Sequence, residues 1–237
     1  MDHAPRLTGL ARAAAIALGV VAVAGCTSSS PAKAGDPRAL LTKAKSTLDA
    51  TSAIHFTLSS SGVGGSGLAL VGGAGDVARP AAFRGTLMLS QGGASLDVKA
   101  ISVGGRVYAQ LPFTNGYTVA KPSEFGVSDP ARLIDPNTGI TSLLTSVNSA
   151  TPAPSDRYQG ETLDEVSVTL PAARVASVLD TTQRSGEVRG TIGIDPTSDQ
   201  LRRVVLTGPL LDKSKNVTYT LVLEDYGEKV TITPPPT

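Results

Sequence analysis

Phe83-Arg84-Gly85-Thr86-Leu87-Met88-Leu89-Ser90-Gln91-Gly92-Gly93-Ala94-Ser95-Leu96-Asp97-Val98-Lys99-Ala100 is the stretch that decides the fold. Phe83, Gly85, Leu87 and Leu89 alternate with Arg84, Thr86 and Met88. Only a strand sends successive side chains to opposite faces, so this period reads as β. Gly92-Gly93 supplies a tight reversal, after which Leu96, Val98 and Ala100 alternate with Asp97 and Lys99. Gly104-Gly105 turns the chain again, and Val107, Ala109 and Leu111 alternate with Tyr108 and Gln110. Short strands joined by glycine turns predict an antiparallel meander, with Phe83, Leu87, Leu89, Val98 and Val107 on one face.

The pattern extends both ways. Upstream, Asp36-Pro37 opens a helix, Asp as N-cap and Pro in the first turn, with Leu41, Ala44 and Leu48 on one stripe to about residue 51. Ile54, Phe56 and Leu58 then alternate with His55 and Thr57. Residues 62–67 form a loop, and Leu68 to Val71 a short strand ending at Gly72-Gly73. Downstream, Ser128-Asp129-Pro130 starts a helical turn, and Asp135-Pro136-Asn137-Thr138-Gly139 leads to a helix with Ile140, Leu143, Leu144 and Val147 on one stripe. Thr151 to Ser155, with two prolines, reads as a loop. A strand at Val166 to Leu170 and a short helix begun by Pro171 follow. Four more strands are expected: 188–194, 201–206, 217–223 and 230–232. Helices and strands do not alternate regularly, which excludes a doubly wound parallel sheet. The class is α+β: a single domain with a large curved antiparallel sheet and helices on one face.

Residues 1–25 have the three parts of an export signal: Arg6 and Arg12, the apolar run Ala13 to Ala24, and Val23-Ala24-Gly25 before Cys26, the only cysteine. Small residues before a lone cysteine make a bacterial lipobox. The expectation is diacylglycerol on the Cys26 thiol, cleavage before Cys26, and anchorage on the extracytoplasmic face of the cell membrane. The alternative is an ordinary cleaved signal that leaves a free cysteine. The apolar run is shorter than the ~20 residues a spanning helix needs. Residues 26–35, rich in Ser, Pro, Ala and Gly, read as a flexible tether, and 36–237 as the folded domain.

Removing residues 1–25 leaves 212 residues with 19 basic and 19 acidic side chains. That balance offers no electrostatic footprint for nucleic acid. With Cys26 used, no internal disulfide is possible, and packing must stabilise the fold. Yet there is no Trp, with only four Phe and five Tyr. Two readings are open: an interior completed by a ligand, or a composition biased to Ala and Gly.

The chain points away from catalysis. His3 belongs to the signal, so His55 is the one histidine left, too few for a histidine-rich metal site or an unaided triad. Gly62 to Gly67 spells G-x-G-x-x-G, but Leu68-Ala69-Leu70-Val71 after it is β-like, where the dinucleotide motif needs a helix. Asp164 and Glu165, or Glu224 and Asp225, adjoin in strands and so point to opposite faces. No enzyme, cofactor or metal is expected.

With those elements laid out, the chain resembles the mycobacterial LppX/LprA/LprF/LprG lipoproteins, the LprG branch most of all. The resemblance rests on Val23 to Cys26, Gly105-Arg106-Val107-Tyr108-Ala109, Asp129-Pro130 with Asp135-Pro136-Asn137-Thr138-Gly139, and Tyr226-Gly227-Glu228-Lys229-Val230 before Pro234-Pro235. It implies a half-barrel sheet wrapped around helices with an apolar cavity between. It also implies carriage of acylated lipids, such as triacylated glycolipid or triacylglycerol, from the inner membrane toward the outer envelope, in association with a major-facilitator transporter. It places Leu87 on the cavity wall; the expected lining is Phe83, Leu87, Leu89, Val98, Val107, Ile140 and Leu144. A close-packed core at Leu87 is the alternative, and with it a structural or adhesive envelope lipoprotein. The Gly-rich 62–75 and Pro-rich 151–154 segments depart from the family pattern.

Overall fold

Among the described residues, eleven strands hydrogen-bond into one sheet, every neighbouring pair antiparallel. The computed structural model describes residues 35–125 and 127–236. The described residues form one compact unit within Lys33–Thr237. Residues 1–25, Cys26 and all of the expected tether but Gly35 lie outside the described residues. Among the described residues no helix is long and apolar enough to cross a membrane.

The first strands are β1 (Ala53–Ser61), β2 (Ala69–Ala78), β3 (Ala82–Gln91), β4 (Ala94–Val103), β5 (Arg106–Gln110) and β6 (Thr118–Ala120); the later ones are β7 (Ser149–Tyr158), β8 (Glu161–Pro171), β9 (Glu187–Ile194), β10 (Leu201–Asp212) and β11 (Lys215–Glu224). Their order is β6-β5-β4-β3-β2-β1-β11-β10-β9-β8-β7. Two meanders are thus sewn together at one junction, where the first strand meets the last. There Phe56 pairs with Leu223 and Leu58 with Leu221. The helices α1 (Pro37–Ala50), α2 (Thr141–Leu144) and α3 (Ala172–Leu179) pack against the sheet. Asp36 caps α1, its carboxylate accepting the Arg38 N–H at 3.1 Å, and Leu41, Ala44 and Leu48 are buried.

The register of the first meander carries Leu87 opposite Val98, and Ala100 opposite Ala109. Val107 therefore shares the inner face with Leu87. The hydrophobic core divides in two: a large cluster under most of the sheet, and a smaller one of Leu89, Val98 and Ala109 closed by Phe125 and Val127.

Several boundaries differ from the sequence reading. β2 does not end at Gly72-Gly73 but runs to Ala78. Its glycines make room: Gly75 and Gly85 face each other across β2 and β3, and the Phe83 ring covers both. A Cβ on Gly85 would stand 2.9 Å from Phe83 Cζ and 2.7 Å from Gly75 Cα, and would also meet the Ala74 carbonyl. Backbone cannot give way there, so Gly85→Ala is expected to cost about 1–3 kcal/mol of stability, read by denaturant unfolding. Residues 151–155 are not a loop: Pro152 and Pro154 lie in β7, an edge strand that tolerates missing donors. The 140–147 stripe folds as a four-residue helix only, and Val230 to Ile232 pairs with nothing.

Candidate functional site

The segment joining β6 to β7 crosses the inner face, and its loop chemistry builds one wall of a cavity. Asp129 starts a short 3-10 turn (Pro130–Arg132), its carboxylate accepting the Ala131 N–H at 3.0 Å. Asp135 then accepts from the N–H groups of Asn137 and Thr138 at 2.9 and 2.8 Å and from the Thr138 hydroxyl at 3.0 Å. Those bonds hold its carboxyl below the usual carboxylate range. Gly139 is required by close approach: a Cβ there would lie 2.7 Å from the Arg132 carbonyl and from the Asp135 nitrogen. The Ile140 N–H returns to the Leu133 carbonyl at 2.8 Å. Asp135 to Gly139 is therefore a rigid, self-satisfied loop, and it delivers Leu133, Asn137 and Thr138 over the sheet.

Between this loop, α3 and the sheet lies a cavity of about 350 Å³. That volume falls in the ~300–1,000 Å³ range of small-molecule sites. Phe56, Leu58, Leu70, Leu87 and Leu221 make the sheet wall; Leu133, Val178 and Leu179 face them. Polar residues also line it: Ser128, Asp129, Arg132, Arg174 and Asp180. Several of them continue into an adjoining, more open depression that reaches Arg184. Asp180, at the end of α3 with φ +53°, clips the crossing segment: its carboxylate accepts from the Ser128 N–H and, at 2.7 Å, from the Ser128 hydroxyl. Nearby, the Tyr219 hydroxyl donates to the Leu70 carbonyl at 2.7 Å, and burial pushes that phenol up to about 12. The arrangement is an apolar chamber with a mixed-charge polar margin.

The expected lining residues fall in four places. Leu87 lines the chamber. Leu89, Val98 and Val107 line a separate void of about 20 Å³ beneath Phe125 and Val127, which Leu87 also touches. Ile140 and Leu144 border a void of about 10 Å³ in the packed core under β8, β9 and β10. Phe83 is fully buried, its ring 5.9 Å from that of Phe56. Cys26 lies outside the described residues. Sequence reading missed Phe56, Leu58 and Leu221 as wall residues. Their alternation was visible, but the β1–β11 junction that sets them together joins the two ends of the chain. Arg174 and Asp180 gave no signal beyond exposed charge.

His55 lies on the outer face, its Nδ1 2.8 Å from Asp76 Oδ1, with Arg84 on the other carboxylate oxygen. Residues 62–68 link two strands, and no helix starts there. Among the described residues no cluster of His, Cys, Asp and Glu could hold a metal.

Comparison with known proteins agrees with this architecture. The lipoarabinomannan carrier protein LprG of Mycobacterium tuberculosis is 28% identical over 243 residues, covering 99% of this chain and 97% of that protein. Lipoprotein LprA of the same species is 25% identical over 254 residues, covering 99% and 100%. Among solved structures, LprF from Mycobacterium bovis superposes with a TM-score of 0.68 at 18% identity, covering 85% of this chain and 97% of that one. LppX of Mycobacterium tuberculosis gives 0.62, also at 18% identity, covering 83% and 97%. These two have the same fold. The model of the LppX_LprAFG lipoprotein family matches residues 36–232, and the chain belongs to that family.

Proposed function

We propose that this protein is a membrane-anchored lipid carrier without catalytic activity. It holds the acyl chains of a lipid or glycolipid in the chamber and carries them across the envelope, from the inner membrane toward the outer layers. The observation that carries the reading is the chamber itself: an apolar wall of Phe56, Leu58, Leu70, Leu87 and Leu221 with polar groups at its margin. Burial contributes roughly 25 cal/mol per Å² of apolar surface, so acyl chains need no polar anchors inside. Arg132, Arg174 and Asp180 line the chamber, and in this reading they meet the headgroup. The name of one relative, a lipoarabinomannan carrier, supports a glycolipid ligand. In this reading Cys26 is diacylated, which holds the domain on the extracytoplasmic face of the membrane, and a major-facilitator transporter is a candidate partner for delivery.

Transfer is the direct test. Lys33–Thr237 is mixed with donor vesicles carrying a fluorescent triacylated lipid and with unlabelled acceptors. The expected result is a transfer rate that rises in proportion to protein concentration. Rates equal to those of vesicles alone would remove the carrier and leave a structural lipoprotein.

A further inference from the structure

Three neighbouring turns at one end of the first meander carry no charge. Residues 57–75, 85–96 and 107–120 contain no Asp, Glu, Lys, Arg or His. The registers place the turns side by side: Ala69 pairs with Ser90, and Lys99 with Gln110, so the β1–β2, β3–β4 and β5–β6 turns share one end of the sheet. The large apolar side chains exposed in these stretches are Leu68, Met88, Leu96, Leu111, Phe113 and Val119. Phe113 is wholly exposed, and its φ is +68°. A left-handed aromatic residue is uncommon and costs energy. The turn enforces it, with the Thr114 N–H and hydroxyl both donating to the Leu111 carbonyl, at 3.2 and 2.7 Å. The ring is held out into solvent rather than folded back.

The same end receives the N-terminal part of the chain. Arg38, in the first turn of α1, donates to the Asn148 carbonyl, and the Asn148 side chain donates to Glu187 at the start of β9. β9 starts beside the end of β10, and the β10–β11 hairpin stands next to the end of β1. α1 thus starts at the end where β1 finishes. Nine residues, 27–35, separate Asp36 from the expected anchor at Cys26; fully extended, the ten steps between them cover at most ~36 Å. Leu70, just past the first charge-free turn, is a chamber wall.

We propose that this charge-free rim, with Phe113 at its tip, inserts into the interfacial layer of a lipid bilayer and seats the domain on the membrane beside the chamber. Apolar and aromatic side chains favour that layer, and the absence of charge removes the desolvation penalty of entering it. The occupant is the bilayer surface rather than a second copy of the chain. The inference rests on the carrier reading for its purpose, but not for its test.

The chain lacks Trp, so Phe113→Trp gives a single probe. Added to Lys33–Thr237 with phosphatidylcholine vesicles, it should blue-shift and be quenched by brominated acyl chains. Phe113→Asn, a residue that accepts positive φ, should lower vesicle partitioning roughly tenfold to a hundredfold at unchanged Tm. Because the three turns carry no charge, the part of the partitioning lost in Phe113→Asn should change little with added salt or phosphatidylglycerol, although the neighbouring β10–β11 hairpin carries Asp212, Lys213 and Lys215. An unshifted Trp, or equal flotation of Phe113→Asn and wild type, overturns the proposal. So does a vesicle-free dimer that Phe113→Asn dissociates. Lipid copurification is measured on the same samples. If lipid copurifies but Phe113→Asn floats normally, the rim fails and the carrier stands; if the domain floats through Phe113 but carries no lipid, the reverse holds.

Discussion

Leu87→Trp should empty the protein of lipid while leaving its stability nearly unchanged. Leu87 lines the chamber, so the larger ring enters ligand space. Leu89→Trp is the matched control. Leu89 is buried in the small cluster beside a void of about 20 Å³, with Phe125 and Val127 closing over it. The ring has nowhere to go there, and overpacking costs about 1–3 kcal/mol. For a domain of this size that is a fall in Tm on the order of 2–10 °C. The two substitutions lie two residues apart on one face of one strand, yet should differ in kind: one loses ligand, the other stability. Thermal melting and lipid analysis of both variants decide it. A large fall in Tm for Leu87→Trp would show a packed core at that position.

The second large effect is electrostatic and remote from the chamber. Arg203 on β10 bonds Asp156 at 2.6 Å and Glu165 at 2.8 Å, with its guanidinium 4.8 Å from the centre of the Tyr158 ring. The Glu165 side chain is only 2% exposed. Burial raises its carboxyl above the ordinary value, and Arg203 pulls it part of the way back. Such a carboxyl takes up a proton on folding. Its contribution therefore favours the fold below the unfolded value of about 4.5 and fades as the pH rises through the folded value. Arg203→Met strands the charge, so destabilisation of about 3–5 kcal/mol is expected at neutral pH. The deficit should shrink on acidification, as Glu165 becomes neutral. Adding Glu165→Leu should restore most of the loss at neutral pH. Urea unfolding of the three variants across pH tests this; a deficit independent of pH would mean that Arg203 acts through packing instead.

The legible part of this molecule is its local part. Phe83 to Ala100 declared two strands and a turn, because alternation and Gly92-Gly93 are both properties of neighbours in sequence. Asp36-Pro37 declared the start of α1 for the same reason. β7 was misread because Pro152 and Pro154 argue against a strand only in the interior of a sheet, and edge position is set by topology. Val230 to Ile232 alternates without a partner to pair with. The chamber was hidden for a related reason. Leu58 and Leu221 meet only because the first and last strands join. The Glu165–Arg203 pair was likewise invisible, since alternation places Glu165 on the outer face and says nothing of Arg203, two strands away on β10, which bonds it.

The carrier account comes down to whether acyl chains occupy the chamber. The most direct measurement is mass spectrometry of organic extracts from Lys33–Thr237, purified without detergent from a mycobacterial host, wild type beside Leu87→Trp. The account predicts a multi-acyl lipid in the wild-type extract and its near absence from Leu87→Trp. A wild-type domain that is folded and free of lipid, or equal lipid in both proteins, would contradict it.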